Sequence, residues 1–236
     1  MPSNQFLLFS FSREELGLDQ NRLLAAAGYP EGASPAGRVL ESLSRAEKML
    51  RELMRPRAAV RYVRLAFRGG EAPGFGLAGG LVFNSRLITA PLSAGCAWAF
   101  FAVTIGGEAS EISAKTCDSD FLLSFLLDTT ASCFAESLAD LLQEKLAEKA
   151  AEKGLATGWR FSPGYCDWEL AENRDLLSAV GAEQIGIRLT DGGMMVPQKS
   201  VSGVMGFGLP GSGVEKSPCV KCRNASCTHR RGAKKQ

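Results

Sequence analysis

The sequence predicts an α+β fold, and three observations carry that reading. Residues 121–153 form one long stretch whose second half is rich in Ala, Leu, Glu and Lys, all strong helix formers. Several short runs are dense in β-branched and aromatic residues and are separated by glycine-rich segments, as strands are. The two kinds of stretch are interspersed without the βαβα alternation of a doubly wound sheet.

Taken in order, "SPAGRVLESLSRAEKMLRELM" opens with Ser34 as N-cap and Pro35 at the first helical position. Val39, Leu40, Leu43, Ala46, Leu50 and Leu53 then recur at helical spacing. "AAVRYVRLAF" and "GGLVFN" read as strands on either side of the glycine-rich "RGGEAPGFG", and "CAWAFFAVTIG" as a further strand. The long helix of residues 121–153 has a break expected near Asp128. "ENRDLLSAVGA" is a short helix, and "IGIRLT" and "SVSGVMGFG" are strands around "MMVP".

At 236 residues the chain is long enough to bury a sizeable core, and 45% hydrophobic with 22% charged residues is ordinary for a globular protein. The first residues lack a basic segment and a small-residue cleavage site, and the apolar runs fall short of a bilayer span. These features predict a cytoplasmic protein with no membrane partner. The net charge of +2 hides an asymmetry: seven Lys or Arg and no acid follow Glu215, leaving −5 on residues 1–215. The chain therefore divides into a main domain, 1–215, and a basic Cys-rich tail, 216–236. Such a tail can attract nucleic acid or an acidic protein, but no base-reading signature accompanies it. Cys96, Cys117, Cys133 and Cys166 sit in apolar surroundings and read as buried thiols rather than a disulfide framework.

Two glycine-rich motifs tempt and fail. "GFGLAG" matches the dinucleotide pattern G-x-G-x-x-G, but no strand ends at its first glycine and no helix comes after it, so it reads as a hairpin loop. "GLPGSGVEKS" lacks the Gly-Lys-Ser/Thr of a phosphate loop. The single histidine, His229, lies in the tail, which excludes a Ser-His-Asp or Cys-His arrangement in the main domain, and no catalytic residue is assigned. Glu136 and Asp140, four apart on the long helix, read as solvent-facing.

The segment "WRFSPGYCDW" is different in kind. Ser162-Pro163-Gly164 is a turn tripeptide, with proline fixing φ and glycine free to take positive φ. The turn flanks a five-donor guanidinium, Arg160, and a phenol, Tyr165. The residues alone leave open a strand-ending turn with Arg160 in a surface ion pair, or a ligand-binding turn.

Arg160-Phe161-Ser162-Pro163-Gly164-Tyr165 resembles the R-x-x-x-G-Y signature of the activation domain of vitamin B12-dependent methionine synthase. "IGIRLTDGGMMVPQKSVSGVMGFG" is similar to the same family's L-T-(D/E)-x-x-x-M-x-P-x-x-S-V-S-G segment at matching spacing. "LLAAAGY", "FAVTIG" and "LLDTTASCFAESLADLL" resemble its standalone versions, so the likeness runs from about residue 22 to 208. The resemblance implies a curved, mainly antiparallel twisted sheet with helices. It also implies a shallow groove for S-adenosylmethionine, with Arg160, Phe161, Pro163, Gly164, Tyr165 and Glu136 as the binding residues. The family's role is reductive reactivation of cob(II)alamin, the cobalamin sitting on a corrinoid-carrying methionine synthase core and the electron coming from a flavodoxin-like donor. Here the subunit would act in trans, on that core or another corrinoid protein. The competing reading is a noncatalytic metal or redox adaptor. The sequence departs from the family at Cys166-Asp167-Trp168, where G-Y-x-A-C-P is usual, and the family's acidic contact on the long helix falls at Ser132, with Glu136 one turn later.

The tail, "PCVKCRNASCTHRR", sets Cys219, Cys222 and Cys227 in a C-x2-C-x4-C pattern with His229 just beyond. Three thiolates suit a soft metal, giving a zinc site closed by His229 or an iron–sulfur cluster with one outside ligand. Neighbouring Lys221, Arg223 and Arg230 equally fit metal-free reactive thiols.

Overall fold

The computed structural model describes residues 5–30, 32–77, 80–217 and 219. A five-stranded sheet runs through the molecule, built from β1 (Phe6–Ser10), β2 (Arg57–Val63), β6 (Ala97–Thr104), β10 (Ser200–Gly208) and β7 (Ala156–Phe161) in the spatial order β1-β2-β6-β10-β7. All four pairings are antiparallel. β6 is central, which explains why its run "AWAFFAVT" is almost continuously buried: a strand covered on both faces has no polar side to show.

Strand alternation sorts the side chains into two cores. Ala58, Val60, Tyr62, Phe101, Val103, Met205 and Phe207 face a helical layer. That layer consists of α1 (Gln20–Ala26), α2 (Gly37–Leu53), α4 (Glu108–Thr116) and α5 (Phe121–Ala151). Ala59, Phe100, Ala102, Phe161 and Val204 face the other way. There they meet α3 (Arg86–Ser93), α6 (Asn173–Val180) and a small sheet of β3 (Leu65–Arg68), β4 (Gly74–Leu77) and β5 (Val82–Asn84). The short hairpin of β8 (Arg188–Leu189) and β9 (Met195–Val196) leads through a cis Val196–Pro197 peptide into β10.

Several elements correct the sequence reading. α5 is one unbroken 31-residue helix. Asp128 does not interrupt it, because its carboxylate accepts from Lys199 Nζ at 2.7 Å instead of competing for backbone, while Leu127, Ala131, Phe134 and Leu138 bury continuously past it. α5 is long and apolar enough to cross a membrane, yet 61% of its apolar 18-residue window is buried within the fold. α2 begins at Gly37, after Ala36 and with no side-chain cap, so Ser34 and Pro35 precede the helix, whose buried stripe Leu43, Ala46, Leu50 starts nearly two turns further on. "RLAF" leaves the main sheet after Val63 and enters the small one. "GFGL" is strand β4 rather than loop, because Phe75 is buried against Phe83 and Trp168 at ring separations of 5.3 and 5.2 Å. Of the four body cysteines only Cys133 is buried; Cys96, Cys117 and Cys166 are exposed because they fall in a connecting loop, at a helix end and in a turn. The sequence patterning does not single out β1, α1, α3, α4 or β7 as elements.

Candidate functional site

The R-x-x-x-G-Y segment closes β7 and turns over the end of the sheet. The Ser162 carbonyl accepts from Tyr165 N–H at 3.0 Å, and Gly164 has φ 91°, as a type II turn with Pro163 at its second position requires. A second closure, Gly164 N–H to the Trp168 carbonyl at 2.8 Å, tightens the loop. Asp167 and Trp168, just past Tyr165, anchor the turn. Trp168 is buried against Phe75 and Phe83, and its indole N–H reaches Glu172 at 2.8 Å. Asp167 accepts from Ser85 Oγ and from the backbone N–H of Arg86 at 2.8 Å and Leu87 at 3.3 Å, completing the orphan donors that begin α3. The stretch where the sequence leaves the family pattern is thus the stretch that pins the turn to the body.

Arg160 is opposite Met205 in the β7–β10 ladder, so alternation sends it to the helical face, toward α5. Its side chain is only 5% exposed. Nη1 donates to Asp140 at 2.6 Å and to Gln143 at 3.3 Å, and Nη2 donates to Glu136 at 3.3 Å. Arg22 of α1 reaches the same two acids, at 2.9 Å to Asp140 and 3.2 Å to Glu136. The i,i+4 acids are therefore not simply solvent-facing: they are bracketed by two guanidinium groups. Burial works against the charge on Arg22, but the Glu136 and Asp140 carboxylates more than offset it and hold its pKa above the usual value. Arg160 is no surface pair. Among the described residues three hydrogen bonds engage its two Nη atoms, and none is made by Nε–H.

A narrow cleft, with about 40 Å3 of open volume, is lined by Arg160, Phe161, Tyr165 and Glu136, together with Trp159, Cys166, Val201, Ser217 and Cys219. It shares Glu136 and Val201 with a wider groove of about 610 Å3 between α1, α5 and the start of β10, where Arg22, Ser132, Cys133 and Lys199 line the wall. Lys199, with a side chain 10% exposed, is held by Asp128 and by Ser132 Oγ at 2.9 Å. Four of the six binding residues singled out in the sequence thus line one cleft; Pro163 and Gly164 shape the turn without lining it.

The sequence alone does not mark Arg22, Asp140, Lys199, Asp167 or Cys166 as site residues. The first two are joined to Arg160 only through tertiary contact, whereas Cys166 and Asp167 carry a signal in their adjacency to Gly164–Tyr165. Of the tail cysteines, Cys219 lies at the narrow cleft, while Cys222, Cys227 and His229 fall outside the described residues. Among the described residues no group of three or more metal-binding side chains occurs.

No curated protein matches the chain in sequence. In structure it is similar to the MetH reactivation domain bound to AdoHcy, with a TM-score of 0.63 and 19% identity over 86% of this chain and 78% of that one. At that identity the likeness establishes the shared fold, a mixture of helices and antiparallel sheets. The sequence profile described as "vitamin B12 dependent methionine synthase, activation domain" matches residues 90–212, more than half of the 236 residues and the whole of α5, β7, the Gly164–Tyr165 turn and β10. The chain belongs to the vitamin B12-dependent methionine synthase activation domain family.

Proposed function

We propose that this protein binds S-adenosylmethionine along the groove and presents its methyl group to a cobalamin carried by a partner, supporting reductive reactivation of a B12-dependent methionine synthase in trans. The observation that carries the reading is the convergence of Arg160, Phe161, Tyr165 and Glu136 on one cleft that opens into a larger groove. The solved relative carries AdoHcy, the demethylated form of the same ligand, which supports it.

The chemistry of the lining suits that ligand. An amino acid end needs an acceptor for its ammonium and a donor for its carboxylate; Glu136 offers the first, and the Arg160 guanidinium the second. Tyr165 supplies a ring with a polar tip. A groove of about 610 Å3 is within the roughly 300–1,000 Å3 typical of small-molecule sites. Its openness leaves a sulfonium methyl reachable from outside, as transfer to a partner demands. With one electron from a flavodoxin-like donor, cob(II)alamin becomes a nucleophile that takes the methyl group, the methyl–sulfur bond breaks, and S-adenosylhomocysteine leaves. This chain's own residues bind and orient the donor.

The client is a methionine synthase core or another corrinoid protein, the compartment is the cytoplasm, and residues 1–215 act as the activation unit with 216–236 as an appended tail. Titration calorimetry of the full chain with S-adenosylmethionine and S-adenosylhomocysteine tests the proposal. Saturable binding of both, weakened by Tyr165→Ala, is expected; no heat with either ligand, alone or beside a corrinoid protein, overturns it.

A further inference from the structure

The glycine-rich run after β10, from Leu209 to Ser217, belongs to no helix or strand, yet it is docked against the body. Val214 is its one buried residue, at 1% exposure. Gly158 of β7 and Gly206 of β10 make room for it: a Cβ on Gly158 would sit 2.6 Å from the Val214 carbonyl oxygen, and one on Gly206 3.1 Å from its side chain. Trp159 adds a second tie, donating its indole N–H to the Glu215 carbonyl at 2.7 Å. Just before this latch, Gly211 and Gly213 take φ of 77° and 102°, which glycine adopts at little cost.

The latch leads straight to the site. Ser217, just past Glu215, lines the narrow cleft with Glu136, Arg160 and Tyr165. The cleft's open volume of about 40 Å3 holds only a few waters, at roughly 10–15 Å3 apiece. That is less than the ammonium, α-carbon and carboxylate of an amino acid need together. The groups proposed to take that end of the ligand are therefore walled in. The wall is lightly held, because a segment with a single buried apolar side chain opens more readily than the sheet beneath it.

We propose that residues 209–217 form a strap that gates the narrow cleft. Latched through Val214 and the Trp159–Glu215 bond, the strap closes the end beside Tyr165; turning about Gly211 and Gly213, it lifts and admits the amino acid end of the ligand. The gating role rests on the S-adenosylmethionine reading, whereas the latch stands on contacts within the chain alone. A gate of this kind leaves a kinetic signature. When only a fraction of molecules is open, the apparent affinity is reduced by that fraction. Loosening the latch then raises the association rate in proportion and leaves the dissociation rate of the bound ligand unchanged. A lost contact to the ligand does the reverse, acting on dissociation.

Two variants of the full chain loosen the strap by opposite means, and neither residue lines the cleft: Val214→Ala trims the buried latch, and Gly158→Ala drives a Cβ against it. Hydrogen–deuterium exchange across 209–217 should quicken in both variants, and in the wild-type chain when S-adenosylmethionine binds. Stopped-flow tryptophan fluorescence should show association with S-adenosylmethionine at least about threefold faster in both, with dissociation unchanged. Strap exchange unchanged in both variants removes the latch, and faster exchange without faster association removes the gate; either overturns the proposal. Slower exchange across 209–217 on ligand binding overturns it too, since the strap would then be a fixed wall of the occupied site. If S-adenosylmethionine binds to none of the three proteins, the functional reading fails, and the strap is judged by nitration of Tyr165 with tetranitromethane, mapped by mass spectrometry. Faster nitration in both variants upholds the closed strap; equal rates in all three proteins end it. If Gly158→Ala does not fold, Val214→Ala and the wild-type chain carry every comparison.

Discussion

Arg160 on β7 and Asp140 on α5 meet at 2.6 Å, with the arginine almost wholly buried and the aspartate half-buried. This contact ties the strand that carries the family motif to the helix that forms the groove wall. Arg160→Ala should destabilise the fold by about 2 kcal/mol. A fully buried pair would cost roughly 3–5 kcal/mol, but Arg22 still neutralises both acids here and water reaches them. Urea unfolding checks the loss, and a double-mutant cycle with Asp140→Ala should show the two effects to be non-additive. Under the proposed function the folded variant also binds S-adenosylmethionine at least about tenfold more weakly, the loss of a charge-assisted contact.

Asp167 caps α3 from across the chain. Asp167→Ala should cost about 1–2 kcal/mol, the usual range for a lost helix N-cap acceptor, and Asp167→Asn less, since the amide oxygen can still accept. Thermal denaturation separates the two. Under the proposed function, because Asp167 holds the Gly164–Tyr165 turn as well as α3, the alanine variant should also bind S-adenosylmethionine more weakly, whereas a cap serving α3 alone would leave binding intact.

Gly203, the glycine of the S-V-S-G segment, lies where β10 passes β7. A Cβ there would collide with the Phe161 carbonyl oxygen and sit 2.8 Å from the Phe101 ring. Neither neighbour is the loose end of a side chain. Gly203→Ala should therefore destabilise by about 3 kcal/mol through overpacking and push β7 outward, which differential scanning calorimetry would register as a lower Tm.

Alkaline pH should weaken the fold. Burial raises the Cys133 thiol; Arg22 partly opposes this and Glu136 adds to it. Burial likewise raises the Tyr62 phenol. Both groups hold their protons more tightly when folded, so their contribution is intact below the unfolded values near 9.0 and 10.0 and is lost as pH rises through the folded ones. Denaturant midpoints measured from pH 8 upward should fall, and Cys133→Ala should make the first part of that fall shallower. An unchanged slope in the variant would remove Cys133 from the account.

The sequence disclosed the parts of this protein whose signal is local. The β6 and β10 runs, the α6 helix and the Ser162-Pro163-Gly164 turn are legible because their composition and spacing alone require them. The residues proposed to bind the ligand are legible as a motif, but not as an arrangement. Nothing in the spacing of Arg22, Glu136, Asp140 and Arg160 says that two arginines will share two acids, since that depends on the register of β7 against β10 and the placement of α1 on α5. The elements without a sequence signal have a similar cause. β1 is an edge strand with little burial, and α1 and α3 are short helices that depend on tertiary partners: Leu23 burial and the Arg22 bridges for one, the Asp167 cap for the other. The exposure of Cys96, Cys117 and Cys166 runs against their sequence surroundings because apolar neighbours along the chain are not always apolar neighbours in space.

The sharing of Glu136 and Asp140 by Arg22 and Arg160 has a dynamic consequence. α1 has seven residues, too few to persist alone, so its amides exchange with solvent whenever its attachment to α5 opens. A ligand that engages Glu136 or Arg160 changes the electrostatic hold on Arg22, whose side chain lines the same groove. Hydrogen–deuterium exchange across Gln20–Ala26 would then report groove occupancy through the helix that walls it.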